Sequence, residues 1–280
     1  MKNKINRSLI SVIITTKNEE SVLGRLLKSI KNQSYKGNEI IIVDNFSTDK
    51  TMEIAKKFTK NIYQFGPERS SQRNFGAQKS KGRYLLFLDA DMELSKDVLK
   101  ECVNLMNQEK NIGGIIIPEK SIASNFWEKV KAYERSFYNH GDDNVVEAAR
   151  FFPKVVFNRL KGYDEMITGP EDWDLPERVK KEGFKIGKIF ANINHYERIK
   201  SLYFLIKKKY YYGLTSSRYL NKHHISVVSS KTIYFLRPVF YRQWPKLLAH
   251  PVLSLAMFLM FILEMGGGGM GYIIGKLKDG

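Results

Sequence analysis

The sequence predicts an α/β protein in which a mostly parallel sheet carries helices on both faces and is followed by a helical, membrane-associating C-terminal region. Three observations carry this expectation. Short apolar runs alternate with segments of helical apolar spacing between Ser8 and Ile117. The runs are mostly β-branched and aromatic, as strands buried on both faces are. The last third then changes character: from Lys200 onward twelve Lys and Arg stand against Glu264 and Asp279 alone, beside long apolar stretches.

Taken in order, Leu9–Ile14, Glu39–Val43, Asn61–Phe65, Tyr84–Leu88 and Gly114–Ile117 read as strands bounded by turn residues. Between them Ser21–Lys31, Thr48–Phe58, Ser71–Ser80 and Lys96–Gln108 read as helices, which places the strands parallel and the loops beyond their carboxyl ends in the position where such sheets bind ligands. From Pro118 to Arg198 the alternation lapses. That stretch offers an aromatic-rich helix around Phe126–Tyr138, an acidic loop at Asp142 and Asp143, and a helix Leu175–Lys181 that Gly183 ends. With no Gly/Ser/Pro-rich linker before it, it is expected to complete the same domain, residues 1–198.

Residues 199–280 form the second part. Ile199, Leu202, Tyr203, Ile206, Tyr210 and Leu214 recur at helical spacing beside Lys207, Lys208 and Lys209, the pattern of a basic helix at a membrane surface. A core-facing helix with a solvated lysine face fits the same pattern. Val252–Ile274 is long enough to cross a bilayer and has Glu264 as its one charge, but Gly266–Gly269 interrupts it and both flanks are basic (Arg242 and Lys246, then Lys276 and Lys278). The expectation is a re-entrant or hairpin anchor with both ends on the cytoplasmic side, with a buried soluble helix as the alternative. Gly267, Gly271 and Gly275 would let two helices approach closely, within one chain or between two copies.

Composition bounds the function. A net charge of +17 calls for a polyanionic partner, whether nucleic acid, anionic lipid or nucleotide. No helix-turn-helix or zinc pattern supports nucleic acid. The single Cys102 excludes an internal disulfide and sits in a helical packing pattern. The basic start Met1–Arg7 runs into a strand-like segment with no cleavable apolar region, so no signal peptide is expected.

The chemistry gathers at strand ends. Asp89 and Asp91 close the run Tyr84–Leu88, and residues two apart on an extended chain point the same way, so the pair offers oxygen ligands to a hard cation, Mn2+ or Mg2+. Asp44 ends the second strand, where an acceptor suits a base N–H; Ser47, Thr48 or Asp49 would cap the helix that follows. Glu171 and Asp172 stand at the mouth of a helix, where acids are also favoured by the dipole alone.

Ser11–Glu20, Val43–Thr51, Arg73–Gly76, Leu88–Asp91 and Glu171–Asp174, in this order and spacing, resemble the successive motifs of family 2 glycosyltransferases of the GT-A fold. The resemblance implies a nucleotide-sugar donor, UDP- or GDP-linked, a divalent metal and inversion at the anomeric carbon. It implies that Thr16 and Glu19 lie in the nucleotide pocket, that Asp44 meets the base, and that Arg73 lies near the ribose or diphosphate. Asn45, Ser47, Asn74, Asp89 and Ala90 belong to the same nucleotide-sugar set. Asp91, assisted by Asp89, would hold the metal, with His195 completing it. Asp172 beside Glu171 would be the general base, with Trp173 as an apolar wall. The chain departs from the family at Lys17, Asn45 and Phe46, which bears on the base recognised more than on the activity. A sugar nucleotidyltransferase would need a Gly-rich loop where Thr15–Glu19 stands. A noncatalytic membrane adaptor on a transferase fold is the reading from another class, and a polyprenyl-phosphate sugar synthase, rather than a saccharide-elongating enzyme, is the variant within the transferase reading. The basic and apolar C-terminal elements suggest a lipid-linked acceptor at the cytoplasmic leaflet.

Overall fold

The computed structural model describes residues 9–138 and 148–279; Asp142 and Asp143 and the segment Met1–Arg7 lie outside the described residues. The chain runs β1 (Ile10–Thr16), α1 (Leu23–Lys31), β2 (Asn38–Asp44), α2 (Thr51–Lys56), β3 (Ile62–Gln64), α3 (Arg69–Lys79), β4 (Tyr84–Asp89), β5 (Met92–Leu94), α4 (Val98–Gln108), β6 (Ile112–Ile116), β7 (Glu119–Ile122) and α5 (Phe126–Arg135). It continues with β8 (Ala149–Pro153), α6 (Lys154–Arg159), α7 (Glu171–Lys181), β9 (Lys185–Lys188), β10 (Ile193–Tyr196), α8 (Leu202–Lys222), α9 (Pro238–Arg242), α10 (Trp244–Ala249) and α11 (Pro251–Asp279).

Two compact units emerge. The first comprises Met1–Glu119, Ala148–Glu165 and Leu175–Asn194; the second comprises Lys120–Glu147, Met166–Asp174 and His195–Gly280. The stretch expected to complete the sheet domain is therefore shared between them.

The first unit holds a seven-stranded sheet in the order β3-β2-β1-β4-β8-β6-β9. β1 pairs in parallel with β2 and β4, β2 with β3, and β6 with β9, whereas β8 runs antiparallel to both β4 and β6. The sheet is thus mostly parallel, as expected, with a reversed strand inserted at β8 that the apolar pattern did not announce. Alternation builds two core layers. Ile10, Val12 and Ile14 of β1, Ile40 and Ile42 of β2, and Leu86 and Leu88 of β4 pack against α1 and α4. Ile13, Ile41, Val43, Leu85 and Phe87 point the other way, onto α3, α6 and α7. Cys102 lies fully buried in the first layer, where burial pushes its thiol well above the ordinary cysteine range; it is a packing residue.

In the second unit α11 packs along α8. The glycine run does not interrupt the helix: Pro251–Asp279 is continuous, so the hairpin expected within Val252–Ile274 is corrected to one unbroken helix. The physical reason is the contact with α8. A Cβ on Gly271 would lie 2.1 Å from the Tyr210 carbonyl oxygen, and one on Gly275 2.0 Å from that of Leu214. Gly213 on α8 meets the Gly268 carbonyl in the same way. The small-residue stripe is thus consumed within one chain, not left for a second copy. Glu264, one turn before, is buried and pairs with Lys131 of α5 (2.9 Å) and Lys209 of α8 (3.4 Å).

Candidate active site

In the first unit the loops after β1 and β2 are knitted by side chains. Thr16 Oγ1 donates to Asp44 Oδ1 at 2.7 Å, Ser47 Oγ donates to the same oxygen at 2.6 Å, and the Ser47 amide donates to Oδ2 at 2.8 Å. Asp44 is fully buried, so its carboxylate organises the turn, an occupation the sequence did not foresee. The Glu19 amide donates to Thr51 Oγ1, the Asn18 amide to Ser47 Oγ, and the Thr48 amide to Asn18 Oδ1. Asp49 accepts from the Thr51 and Glu20 amides and from the Thr51 hydroxyl; slight burial works to raise its pKa, and these bonds more than offset it, holding the carboxyl below its ordinary range. Asn45 Nδ2 donates to the Pro67 carbonyl. Phe46, one of the positions at which the chain departs from the family pattern, has φ of 50° and is 61% exposed.

Arg73, from α3, is buried and donates to Asp89 Oδ1 at 3.0 Å while its guanidinium lies over the Tyr163 ring. Arg69 comes within 3.7 Å of the same oxygen, and Arg150 on β8 reaches Asp89 Oδ2 at 3.5 Å and Glu119 at 2.6 Å. Three guanidiniums therefore surround the carboxylate that ends β4. Arg69 and Arg150 were not foreseen. Arg69 sits one turn before Arg73 on the same helix face, a spacing visible in the sequence; Arg150 reaches Asp89 only through the reversed strand β8, which no local pattern marks. Asn74 does other work: its side chain braces the turn at Tyr163, accepting from that amide and donating to its carbonyl and to Glu165.

Asp91 follows in the tight turn through Ala90 between β4 and β5. With Asp89 charge-matched by arginines, and no group of three His, Cys, Asp or Glu side chains gathered among the described residues, the donor set does not fit a closed protein metal cage. It fits a hard cation that takes one or two carboxylates from protein and its other ligands from phosphate oxygens and water.

The second unit holds the remaining candidates. Glu171 is buried and Asp172 half-buried in the first turn of α7, which starts four residues earlier than the sequence suggested. Three acids, Glu171, Asp172 and Asp174, occupy that first turn, where the helix dipole favours them. Trp173 packs near Tyr219, with ring centroids 6.3 Å apart. His195, on β10, meets Arg135 NH1 through Nδ1 at 2.9 Å; because arginine only donates, that nitrogen accepts and the ring proton of a neutral His195 sits on Nε2. Arg135 in turn pairs with Glu197 at 3.2 Å.

Comparison with known proteins gives four findings. The family model described as Glycosyl transferase family 2 matches residues 11–160. An uncharacterized glycosyltransferase of Haemophilus influenzae is 36% identical over 113 residues, 37% of this chain and 44% of that protein, so the chain spans less than half the length of that relative. A dolichyl N-acetyl-alpha-D-glucosaminyl phosphate 3-beta-D-2,3-diacetamido-2,3-dideoxy-beta-D-glucuronosyltransferase of Methanococcus voltae is 26% identical over 79% of this chain and 77% of its own length. Among solved structures, the mannosyltransferase PcManGT from Pyrobaculum calidifontis, in complex with GDP-Man and Mn2+, shares the fold at a TM-score of 0.58 and 17% identity, covering 93% of this chain and 74% of that one.

Proposed function

Because the chain belongs to glycosyl transferase family 2, we propose that it moves a sugar from a UDP- or GDP-linked donor to an acceptor hydroxyl or phosphate carried on a lipid, with inversion at the anomeric carbon. The observation that carries this reading is the strand-end cluster: Asp89 among Arg69, Arg73 and Arg150, with Asp91 in the next turn. The mannosyltransferase bound to GDP-Man and Mn2+ supports the donor class and a divalent metal, and the Methanococcus relative's dolichyl substrate supports a lipid-linked acceptor.

The acceptor oxygen attacks the anomeric carbon from the face opposite the nucleoside diphosphate, the carbon–oxygen bond to the diphosphate breaks, and the acceptor proton passes to Asp172, with Glu171 beside it. A cation, Mn2+ or Mg2+, held by Asp91 next to Asp89 would supply charge neutralisation at the leaving diphosphate without a proton donor. The arginines around Asp89 fix that carboxylate and bring positive charge to the same strand end. His195 remains a candidate third ligand only if its ring exchanges the Arg135 contact for one that frees a nitrogen. Thr16, Glu19, Asp44, Asn45 and Ser47 shape the loops that would receive the nucleoside. Residues 1–198 carry the transfer chemistry and residues 199–280 associate with the cytoplasmic leaflet.

The test is turnover of UDP-glucose, UDP-GlcNAc and GDP-mannose with Mn2+, with and without lipid vesicles. Release of nucleoside diphosphate from one donor, abolished by chelator, is the expected result. No turnover of any donor under either condition would favour an adaptor built on the fold.

A further inference from the structure

The loop that carries Glu171 and Asp172 is held, within the second unit, by one face of α8. The Thr168 amide donates to Thr215 Oγ1 at 3.0 Å, and that hydroxyl donates back to the Thr168 carbonyl at 3.1 Å. Arg218 donates to the Met166 carbonyl at 3.2 Å. Gly169, at φ of 101°, lies so near Tyr212 that a Cβ would come within 2.8 Å of the tyrosine Cβ. Ile167 packs in a small core with Tyr219 and Leu220. The contacts end on a buried carboxylate: Asp174 Oδ1 is 2.8 Å from His223 Nε2 and 2.8 Å from Lys222 Nζ, with the Asp174 side chain wholly buried and that of His223 nearly so. Tyr212, Thr215, Tyr219 and Lys222 are three or four residues apart and so share one face of the helix. The glycine contacts with α11 use another face, through Tyr210, Gly213 and Leu214.

This arrangement answers a question the motif leaves open. Asp172 can take a proton only if its turn stays put, and the first turn of a helix has no intrahelical partners for its own amides. A carboxylate two residues further on, buried and tied from outside, fixes that turn from below. We propose that His223 and Lys222 are positioning residues for the transfer reaction: by gripping Asp174 they set the first turn of α7, and with it the carboxylates of Glu171 and Asp172. The C-terminal region is then part of the catalytic apparatus as well as a membrane element. This inference rests on the functional reading above for the word catalytic, and on the contacts alone for the grip.

The experiment uses the full-length chain with His223→Phe, His223→Gln and Lys222→Met. Phe keeps the aromatic packing against Tyr219 and removes the hydrogen bond to Asp174; Gln keeps a donor. Amide hydrogen exchange over residues 166–174 is expected to quicken by about 10-fold or more in His223→Phe, with the amides of β4 unchanged. Hydrolysis of UDP-GlcNAc and GDP-mannose with Mn2+ is expected to lose on the order of 10- to 100-fold in kcat at an unchanged donor KM, with His223→Gln close to wild type. Lys222→Met, at a partly exposed site, is expected to show both changes more weakly. Unchanged exchange at 166–174, or an unchanged kcat in His223→Phe, overturns the inference. Loss of protection in β4 together with a raised donor KM overturns it too, since that marks general destabilisation. If the wild-type chain turns over none of UDP-glucose, UDP-GlcNAc and GDP-mannose, the functional reading above fails, and the exchange measurement still decides the grip.

Discussion

Asp44 and Asp89 show that a strand-end carboxylate takes its role from its neighbours. Asp44 is sealed under Thr16 and Ser47, while Asp89 is drawn among three guanidiniums. The motif order made both residues visible; their partners were visible only where helix spacing exposed them, as at Arg69. The proposed division of labour between Asp91 and Asp172 separates in two variants. Asp172→Asn should lose transfer by about 100-fold or more, the range for a missing base, yet retain UDP or GDP binding in the presence of Mn2+. Asp91→Ala should lose both, as read by titration calorimetry beside turnover; equal loss of binding in the two variants would remove Asp172 from the base role. Phe46 carries a second prediction. A bulky residue in the left-handed region costs about 1–2 kcal/mol, and an exposed ring recovers little of that by burial. Phe46→Gly should therefore stabilise the fold by about 1 kcal/mol once the glycine's extra unfolded-state freedom is counted, read as a raised urea midpoint of unfolding. An unchanged or lowered midpoint would mean that the ring packs on something in solution.

For whole elements, the strands of the first unit were legible because nothing competes with a run such as Ile10–Ile14: its side chains are buried on both faces, and the alternate residues feed the two core layers. The reversed strand β8 and the short strands β5, β7, β9 and β10 were not, since three to five residues carry too little periodicity to separate from loop. α11 failed in the opposite direction. Four consecutive glycines read as a break because each costs about 1 kcal/mol in a helix, but that cost is local, and the backbone-to-backbone approach it allows along α8 is not. The same helix hides a charge. Burial works to raise the pKa of Glu264, and Lys131 and Lys209 more than offset it, leaving the carboxyl at about 2 against an ordinary 4.5. A carboxyl depressed by folding adds stability that is fully present above its unfolded value and is lost as pH falls. This contribution should therefore fade between pH 4.5 and about 2. Glu264→Gln, which leaves Lys131 with Glu134 and Lys209 with the Tyr234 hydroxyl but removes the charge between them, should cost on the order of 3 kcal/mol at neutral pH and flatten that acid limb. A variant whose melting temperature tracks wild type across this range would show the triad to be energetically silent.

Taken over the whole chain, the excess of basic residues after Lys200 and the exposed side of α11 bear on one question, which geometry the proposed membrane association would take. By length and composition α11 can cross a bilayer. Its surroundings argue against crossing. Met257, Phe261, Glu264, Gly267 and Gly271 are turned inward, onto α5 and α8, whereas Val252, Leu255, Leu259, Ile262, Ile273 and Leu277 form a second, exposed stripe. A spanning helix would carry Glu264 with Lys131, Glu134 and Lys209 towards the bilayer centre, where each charge costs several kcal/mol. A helix lying in the interface buries its exposed stripe among acyl chains and keeps that cluster within protein, with Lys207, Lys208, Lys276 and Lys278 available to anionic headgroups. The chain should therefore bind vesicles containing phosphatidylglycerol more strongly than vesicles of phosphatidylcholine alone, and the difference should shrink as salt rises through the range where the Debye length falls below about 10 Å. Leu255→Glu combined with Ile262→Glu should abolish binding to both, because the apolar stripe is what enters the acyl region. Alkaline carbonate distinguishes the two geometries without any substitution: an interfacial helix is released with the soluble fraction, and retention in the membrane pellet would mean that α11 leaves α8 and spans.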